Sequence, residues 1–334
     1  MSAKEVEEII ANLGNITEKI TGKTVLVTGG SGFLGSWLCD ALVELSATVI
    51  CLDNLASGLK SNVSGLIGKE DFKFIRHDMT RPIYFEEDID VVLHLASRAS
   101  PFEFQRFPIQ ILKANTLGIW VALGIAKRHN ARLLYTSTSE IYGNATEIPT
   151  SEEYNGNVNP IGARSCYDEA KRCGESFVTA YQLEHGMDAR IARLFNTFGP
   201  KMRADDVYGR VVPRFIEQAL NNAPITVFGD GSQTRSFCYV TDQIEGLLRF
   251  AFLEELDGKT VNIGNDEEIT IVTLAEIIKK LTNSESEIKF EVLPKDDPLR
   301  RKPDIRKAKD LLNWRPRVSL EQGLERTIQW FRMK

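Results

Sequence analysis

Tyr167 and Lys171 are the two residues whose types and spacing most directly suggest a reaction. They lie four positions apart in residues 165–171, so on a helix they share one face. A phenol with its ordinary pKa of about 10 is a poor base at neutral pH. A neighbouring ammonium group and a cationic nicotinamide favour the phenolate, so we expect Tyr167 to accept a proton. The same spacing also arises by chance, and the interpretation therefore depends on a cofactor site upstream.

A cluster of hydroxyl groups and one carboxylate ends an apolar segment at residues 132–140. Thr138, Ser139 and Glu140 are its last members, and ligands collect at the carboxyl ends of parallel strands. Glu140 at a strand end can also be a solvated carboxylate without a catalytic role, and that alternative stays open.

A glycine-rich turn between residues 24 and 44 provides the cofactor site that this chemistry needs. The apolar run at residues 25–27 is typical of a buried strand. Gly29, Gly32 and Gly35 follow it, and a helix is predicted over residues 36–44. Glycines let the backbone approach a pyrophosphate, and a helix N-terminus favours its negative charge. The order strand, glycine turn, helix therefore predicts a dinucleotide cradle.

A second predicted strand, at residues 48–52, ends at Asp53. Asp53 follows Gly35 by about 18 residues, close to the sequence spacing at which a carboxylate binds the adenosine ribose in dinucleotide-binding folds. Its charge disfavours a 2′-phosphate, so the sequence predicts NAD rather than NADP. Asp78 ends a third strand and is either an adenine contact or a solvated acid. The predicted cofactor-binding residues are Gly29, Gly32, Phe33, Leu34, Gly35, Asp53, Asn54, Asp78, Met79, Leu95, Ala96, Tyr167 and Lys171.

The composition excludes several other classes of function. The chain has 334 residues, 43% of them hydrophobic, which suffices for a full core, and a net charge of −5 that does not suit nucleic acid or an anionic membrane. No apolar run is expected to reach the length needed to span a bilayer, and the charged N-terminus is unlike a signal peptide. The five scattered cysteines predict reduced thiols, no metal site and a cytoplasmic location.

Strands alternate with helices along the first 200 residues, which predicts an α/β fold with a doubly wound (Rossmann) parallel sheet. Further strands are expected at residues 71–78, 90–97 and 132–140, a loop at 98–107, and a long helix over about 108–129. We expect a helical extension at 1–22, an NAD-binding domain at 23–200, and at 201–334 a smaller α/β region that mainly binds substrate and is interleaved with the domain before it.

The glycine loop and the Tyr167/Lys171 pair, in this order, resemble the extended short-chain dehydrogenase/reductases that act on nucleotide sugars. The resemblance covers nearly all of residues 23–331 and is closest to the UDP-glucuronate decarboxylases (UDP-xylose synthases). The segments that carry it are residues 138–143, 156–162, 164–172, 193–200, 209–212, 229–237 and 296–305.

This resemblance implies a reaction. Tyr167 would take the C4 hydroxyl proton of a UDP-sugar while NAD takes the hydride, with Lys171 and Thr138 assisting. A C4 ketone lies β to the C6 carboxylate, so CO2 can leave, and NAD is then recycled. Glu140 and Arg301 match residues beside C5 and the carboxylate.

The remaining predicted substrate-binding residues match the family's pattern around the UDP-sugar, where guanidinium groups suit diphosphate oxygens. With Arg301 they are Arg98, Ser139, Asn196, Arg210, Val211 and Arg235.

Three departures from the family's pattern fall where the sugar is expected. Arg98 replaces a usual proline, Phe104 stands where tyrosine is common, and residues 205–209 are longer than usual. The sugar therefore stays open between glucuronate, galacturonate and a neutral hexose. A UDP-sugar 4-epimerase with the same Tyr167, Lys171 and NAD is the alternative, and a non-catalytic NAD-sensing or scaffold protein is a third. The family resemblance also implies a homodimer through a four-helix interface.

Overall fold

The structure is a computed structural model that describes residues 2–203, 210–293 and 298–333. The lengthened segment at 205–209, including the first residue of the 209–212 motif, lies outside the described residues. So do the first two residues of the 296–305 motif.

Fourteen strands are present in the described part of the chain. They are β1 (Thr24–Thr28), β2 (Thr48–Asp53), β3 (Phe72–Arg76), β4 (Val91–His94), β5 (Arg132–Thr138), β6 (Ala189–Leu194), β7 (Thr197–Phe198), β8 (Ile225–Phe228), β9 (Thr234–Ser236), β10 (Cys238–Tyr239), β11 (Thr260–Ile263), β12 (Glu268–Thr270), β13 (Ile288–Glu291) and β14 (Arg300–Arg301).

Eleven α-helices accompany these strands in the same ranges. They are α1 (Ser2–Leu13), α2 (Thr17–Ile20), α3 (Phe33–Glu44), α4 (Pro101–Arg106), α5 (Pro108–His129), α6 (Ser165–His185), α7 (Val211–Leu220), α8 (Val240–Phe252), α9 (Ile271–Thr282), α10 (Arg306–Leu312) and α11 (Leu320–Arg332).

The main sheet has seven strands in the order β11-β6-β5-β4-β1-β2-β3, and all its pairings are parallel. This confirms the predicted doubly wound fold. Strand order reverses between β1 and β4, and a crevice forms at such a switch point beyond the carboxyl ends of the strands. The apolar run of β1 is fully buried, as expected for a central strand covered on both faces.

Residues after 200 are not confined to a separate layer, because β11 pairs with β6 at the edge of the main sheet. The smaller sheets are β12-β9-β14, β10-β7 and β13-β8. In the first of these, Arg301 of β14 lies beside Arg235 of β9 in a parallel register. The domain boundary at residue 200 stays a prediction.

Several element bounds differ from the predicted ones. Residues predicted as a loop at 98–107 include helix α4, which begins at Pro101, a residue whose fixed φ suits a first helical turn. Helix α3 begins at Phe33 rather than 36, directly after Gly32, the second of the three glycines. Strand β5 ends at Thr138, and residues 139–142 form a 3-10 turn capped by that threonine.

The N-terminal extension is broken into α1, a 3-10 turn and α2, and it packs into the protein core. Ile9, Leu13 and Ile16 are almost fully buried there. Arg326 of α11 donates to Glu8 at 2.5 Å, and Arg249 of α8 donates to a main-chain oxygen of α1. These two hydrogen bonds attach α1 of the extension to α11 and α8.

Helix α5 is, within the described ranges, the one helix long and apolar enough to span a bilayer, a length that the sequence analysis did not recognise. Half of its apolar stretch is buried inside the fold, where α5 packs against α6. A core helix of this size passes the same test of length and composition.

Candidate active site

A cavity of about 1210 Å³ opens beyond the carboxyl ends of β1, β2, β4 and β5. It extends from the glycine turn to Arg301. Every residue predicted above to bind cofactor, to bind substrate or to catalyse lies on its wall. The roles of these residues remain predictions, but the fold brings all of them to one space.

The glycine turn closes one end of the cavity and leaves no room for side chains. Gly29 has φ of +71°, and a Cβ there would lie 2.8 Å from the main-chain nitrogen of Ala96. A Cβ on Gly35 would collide with the main-chain oxygen of Gly29. Gly32 precedes α3 without a side-chain cap, so the first N–H groups of the helix remain available to an anion. This geometry fits the pyrophosphate of a dinucleotide.

Asp53, at the end of β2, has its carboxylate held by the main chain. It accepts hydrogen bonds from the N–H groups of Ser31 at 3.0 Å and Leu55 at 2.8 Å. Burial raises the pKa of Asp53 despite these bonds. The carboxylate is thus held in one orientation at the end of β2, in the wall of the cavity.

Asp78 and Asn54 form the neighbouring part of the wall, where the Asn54 amide donates to the Asp78 carboxylate at 3.3 Å. Burial opposes ionisation of Asp78, but hydrogen bonds from Thr80 and Asn54 outweigh it and lower its pKa. Both groups face the same cavity as Asp53.

Tyr167 and Lys171 occupy the first turns of α6, deep in the cavity. The Lys171 ammonium donates to the main-chain oxygen of Thr136 at 2.8 Å and lies 5.9 Å from the centre of the Tyr167 ring. Burial lowers the pKa of Lys171 to about 7. Removing this group from water therefore weakens the cation on which the phenolate was expected to depend.

The pKa of Tyr167 itself moves in the direction opposite to the prediction. Burial, followed by the negative charge of Glu140, raises it above its ordinary value, although a hydrogen bond with Thr138 opposes the shift. Lys171 alone does not produce a phenolate in the free protein. The charge of a bound nicotinamide is the further cation that the predicted chemistry requires.

Glu140 lies between two arginines. Arg301 forms a bidentate pair with it at 2.6 and 2.7 Å, and Arg164 donates to one of the same oxygens at 2.5 Å. Burial opposes ionisation, but the two guanidinium charges hold the pKa of Glu140 at about 2. Glu140 is therefore an ionised, clamped carboxylate in the wall of the cavity.

Two residues beside the catalytic cluster were missed by the sequence analysis. Arg164 lines the cavity and lies directly before α6, three residues before Tyr167, and its only signal was its place in the 164–172 segment of the family resemblance. Phe104 was noted as a departure without a role, yet its ring stacks on Tyr167 with centroids 4.8 Å apart. The predicted loop concealed this contact, because α4 is what brings Phe104 to α6.

The other end of the cavity is basic. Val211 begins α7 directly after Arg210, and Asn196 lies between β6 and β7. Arg235 is buried and donates to the main-chain oxygen of Thr234 at 2.9 Å. Arg98 pairs with Glu103 at 3.1 Å and lies 4.7 Å from the ring centre of Phe107. A wall of guanidinium groups fits a ligand with several negative charges.

The sequence pattern of a family described as the NAD dependent epimerase/dehydratase family matches residues 25–264. The chain belongs to this family. The predicted family and the predicted cofactor, NAD, are both confirmed.

Relatives within the epimerase/dehydratase family resemble most of the chain. A protein from Danio rerio named UDP-glucuronic acid decarboxylase 1 is 50% identical over 92% of this chain and 72% of its own length. One from Arabidopsis thaliana named UDP-glucuronic acid decarboxylase 6 is 48% identical over 93% and 89%. Among solved structures, a UDP-glucuronic acid 4-epimerase from Bacillus cereus, in complex with UDP-glucuronic acid and NAD, matches with a TM-score of 0.83 and 28% identity over 93% and 99%.

Proposed function

We propose that this protein is an NAD-dependent decarboxylase that converts UDP-glucuronate to UDP-xylose through a UDP-4-keto sugar. One observation carries the proposal: the Glu140–Arg301 pair lies in the wall of the cavity that also contains Tyr167 and Lys171. A guanidinium in a sugar site suits a substrate carboxylate, which a neutral hexose lacks. The relatives named UDP-glucuronic acid decarboxylases support the same activity.

The glycine turn and Asp53 would hold the cofactor. When bound there, NAD would supply a reversible acceptor for the hydride at C4 of the sugar, so the reaction would need no external reductant. Lys171 is assigned to the nicotinamide ribose and Tyr167 to the C4 hydroxyl. Asp53 is assigned to the adenosine ribose, where its charge would repel a 2′-phosphate.

Tyr167 is the base of the first step and takes the proton of the C4 hydroxyl. Its hydrogen bond with Thr138 places a second hydroxyl beside the phenol, where it can hold the same sugar oxygen. The phenol returns the proton to O4 when C4 is reduced again. Tyr167 therefore neither gains nor loses a proton over one turnover.

Decarboxylation follows from the position of the ketone. A C4 ketone is β to the C6 carboxylate, so CO2 leaves with its bonding electrons delivered to an enolate. One proton is then added to C5, and the balance is one uronate anion and one proton giving one pentose and CO2. Since Tyr167 returns its own proton to O4, the C5 proton comes through another group, and Glu140 and Arg301 are assigned to that side of the ring.

The alternative activity is a UDP-sugar 4-epimerase, which the Bacillus cereus neighbour favours. The same Tyr167 and Lys171 would serve it, but the 4-keto sugar would rotate in the site, so that hydride returns to the opposite face of C4. We would incubate the protein with UDP-glucuronate labelled at C6 and measure labelled CO2 and UDP-xylose, with Tyr167→Phe as the matched control. Release of CO2 that the control lacks is the expected result. Formation of UDP-galacturonate without CO2 would replace the decarboxylase by the epimerase.

We also propose that the protein is a homodimer through α5 and α6. Helix α5 exposes Ile109, Leu112, Leu117 and Trp120, each with more than 40% of its surface accessible. Their spacing along the helix places them on one side, and such an apolar face suits a second copy. Light scattering at micromolar concentration should give twice the mass of the chain, and Trp120→Glu should lower it to the monomer. A monomeric wild type would remove this proposal without affecting the active site.

A further inference from the structure

Glu140 is held by two arginines, but the two are not equivalent in the proposed reaction. Arg301 is the residue assigned to the substrate carboxylate, yet both of its Nη groups are engaged by Glu140. Its Nε is buried and has no hydrogen-bond partner among the described residues. A bound uronate would therefore compete with Glu140 for the same guanidinium.

Arg164 contacts Glu140 from a different element. It comes directly before α6, whereas Arg301 comes from β14, and its Nη2 lies 2.5 Å from Oε2 of Glu140. Its guanidinium also lies 5.7 Å from the ring centre of Phe104. Only 13% of its side chain is exposed, so the group does not sample many positions. Arg164 can thus retain Glu140 when Arg301 turns to a ligand.

We propose that Arg164 is the positioning residue that keeps the Glu140 carboxylate in the cavity wall while Arg301 engages the carboxylate of a bound uronate. The proposal rests on the proposed function. The substrate carboxylate would then offset one of the two positive charges beside Glu140. An anchored Glu140 with one remaining guanidinium is a better proton carrier than the doubly clamped carboxylate of the free protein.

Asp168 determines how strongly Arg164 can hold Glu140. It lies one helical turn after Arg164, with its Oδ2 3.9 Å from Arg164 Nε, which is too long for a hydrogen bond. Its Oδ1 is buried without a partner among the residues described. Burial, and then the charge of Glu140, raise the pKa of Asp168 to about 8. At neutral pH Asp168 is protonated and uncharged, so it does not compete with Glu140 for the guanidinium of Arg164.

Ionisation of Asp168 at alkaline pH would place Arg164 between two carboxylates and weaken its hold on Glu140. The charged and titratable groups that face Asp168 are Glu140, Arg301, Arg164, Glu169, Cys166 and Tyr167. A variant changed only at Asp168 has a pH profile without the titration of Asp168, which separates that titration from those of the other groups.

The test is a single-turnover experiment on the NAD-loaded protein with UDP-glucuronate, following NADH absorbance and CO2 together. Arg164→Gln should form NADH at a rate near that of the wild type, but release CO2 about 10²-fold more slowly, the cost expected when a reacting group is misplaced by an ångström. Should Arg164→Gln fail to fold, Arg164→Lys replaces it, since an ammonium keeps the charge but not the geometry. If the rate of CO2 release relative to NADH formation is the same in the variant and the wild type, the proposal is overturned.

Two further readouts distinguish positioning from a general loss of structure. Asp168→Asn should match the wild type at pH 7 and keep its CO2 rate above pH 8, where the wild type declines, while Glu169→Gln on the same helix should follow the wild-type profile. A crystal structure of Tyr167→Phe/Arg164→Gln with NAD and UDP-glucuronate should show Glu140 displaced, and an unmoved Glu140 would contradict the proposal. Absence of CO2 from the wild type would instead overturn the proposed function, and this inference with it.

Discussion

The ring of Phe104 lies against that of Tyr167, with centroids 4.8 Å apart and planes inclined by 16°. Phe104 is almost fully buried, and the thiol of Cys166 contacts its main-chain oxygen at 3.6 Å. These contacts attach the short helix α4 to the start of α6. The proposed catalytic phenol is thereby covered by an aromatic side chain from α4.

Phe104→Ala should lower both stability and the rate of C4 oxidation. Loss of a buried phenylalanine costs about 3–5 kcal/mol, and the stacked pair contributes about 0.5–1.5 kcal/mol beyond its buried area. Denaturant unfolding and the rate of NADH formation would measure the two effects. Phe104→Tyr is the matched control, because it keeps the ring, and it should retain most of the rate. An equally slow Phe104→Tyr would show that the stacked ring is not what matters.

Asp53 should account for the preference for NAD. Asp53→Asn keeps an acceptor oxygen for only one of the N–H groups of Ser31 and Leu55, which bind different oxygens of Asp53, and removes the charge that repels a 2′-phosphate. We expect the ratio of NADP to NAD affinity to rise about 10-fold or more, since like charges in contact cost several kcal/mol. Titration calorimetry with both dinucleotides would measure this ratio. If neither Asp53→Asn nor Asp53→Ala changes the preference, Asp53 does not contact the ribose.

Arg301 and Glu140 should matter mainly after the sugar has been oxidised. Arg301→Ala is expected to form NADH but to slow CO2 release or the final reduction about 10²-fold or more, as for loss of a group in proton transfer. Glu140→Gln should act at the same stage, unless the carboxylate also orients the sugar for oxidation. Tyr167→Phe, by contrast, should abolish both signals. Stopped-flow absorbance with quenched CO2 assays would separate the steps.

The burial of Lys171 makes a prediction about stability and pH. Its pKa is about 7 in the folded protein, against about 10.4 for a lysine in water, because burial disfavours the charge. The unfolded chain therefore binds more protons than the folded protein between about pH 7 and 10. The buried lysine lowers the free energy of unfolding by its whole amount below about pH 7, and this penalty shrinks as pH rises. Lys171→Met should melt above the wild type without cofactor, with a difference that is largest at pH 6 and shrinks by pH 9. A difference independent of pH would contradict the assigned ionisation.

Local sequence determined the elements whose causes lie within a few residues. The apolar run of β1, the glycine turn and the acid at the end of β2 share one βαβ unit, and short-range sterics and helix-end charge suffice to predict a dinucleotide cradle from them. The four-residue spacing of Tyr167 and Lys171 similarly placed both on one face of α6. The pKa of Tyr167 could not be predicted in this way, because it depends on burial and on charges from other parts of the fold.

Tertiary structure alone decided what surrounds each reactive group. Glu140 meets Arg301 across 161 residues of chain, and Phe104 meets Tyr167 only because α4 folds back onto α6. The pKa of Tyr167 and of Lys171 depends on how completely the assembled protein excludes water, which no spacing encodes. Burial and long-range charge are properties of atoms brought together by the whole fold, so the sequence could name the reactive residues but not their protonation.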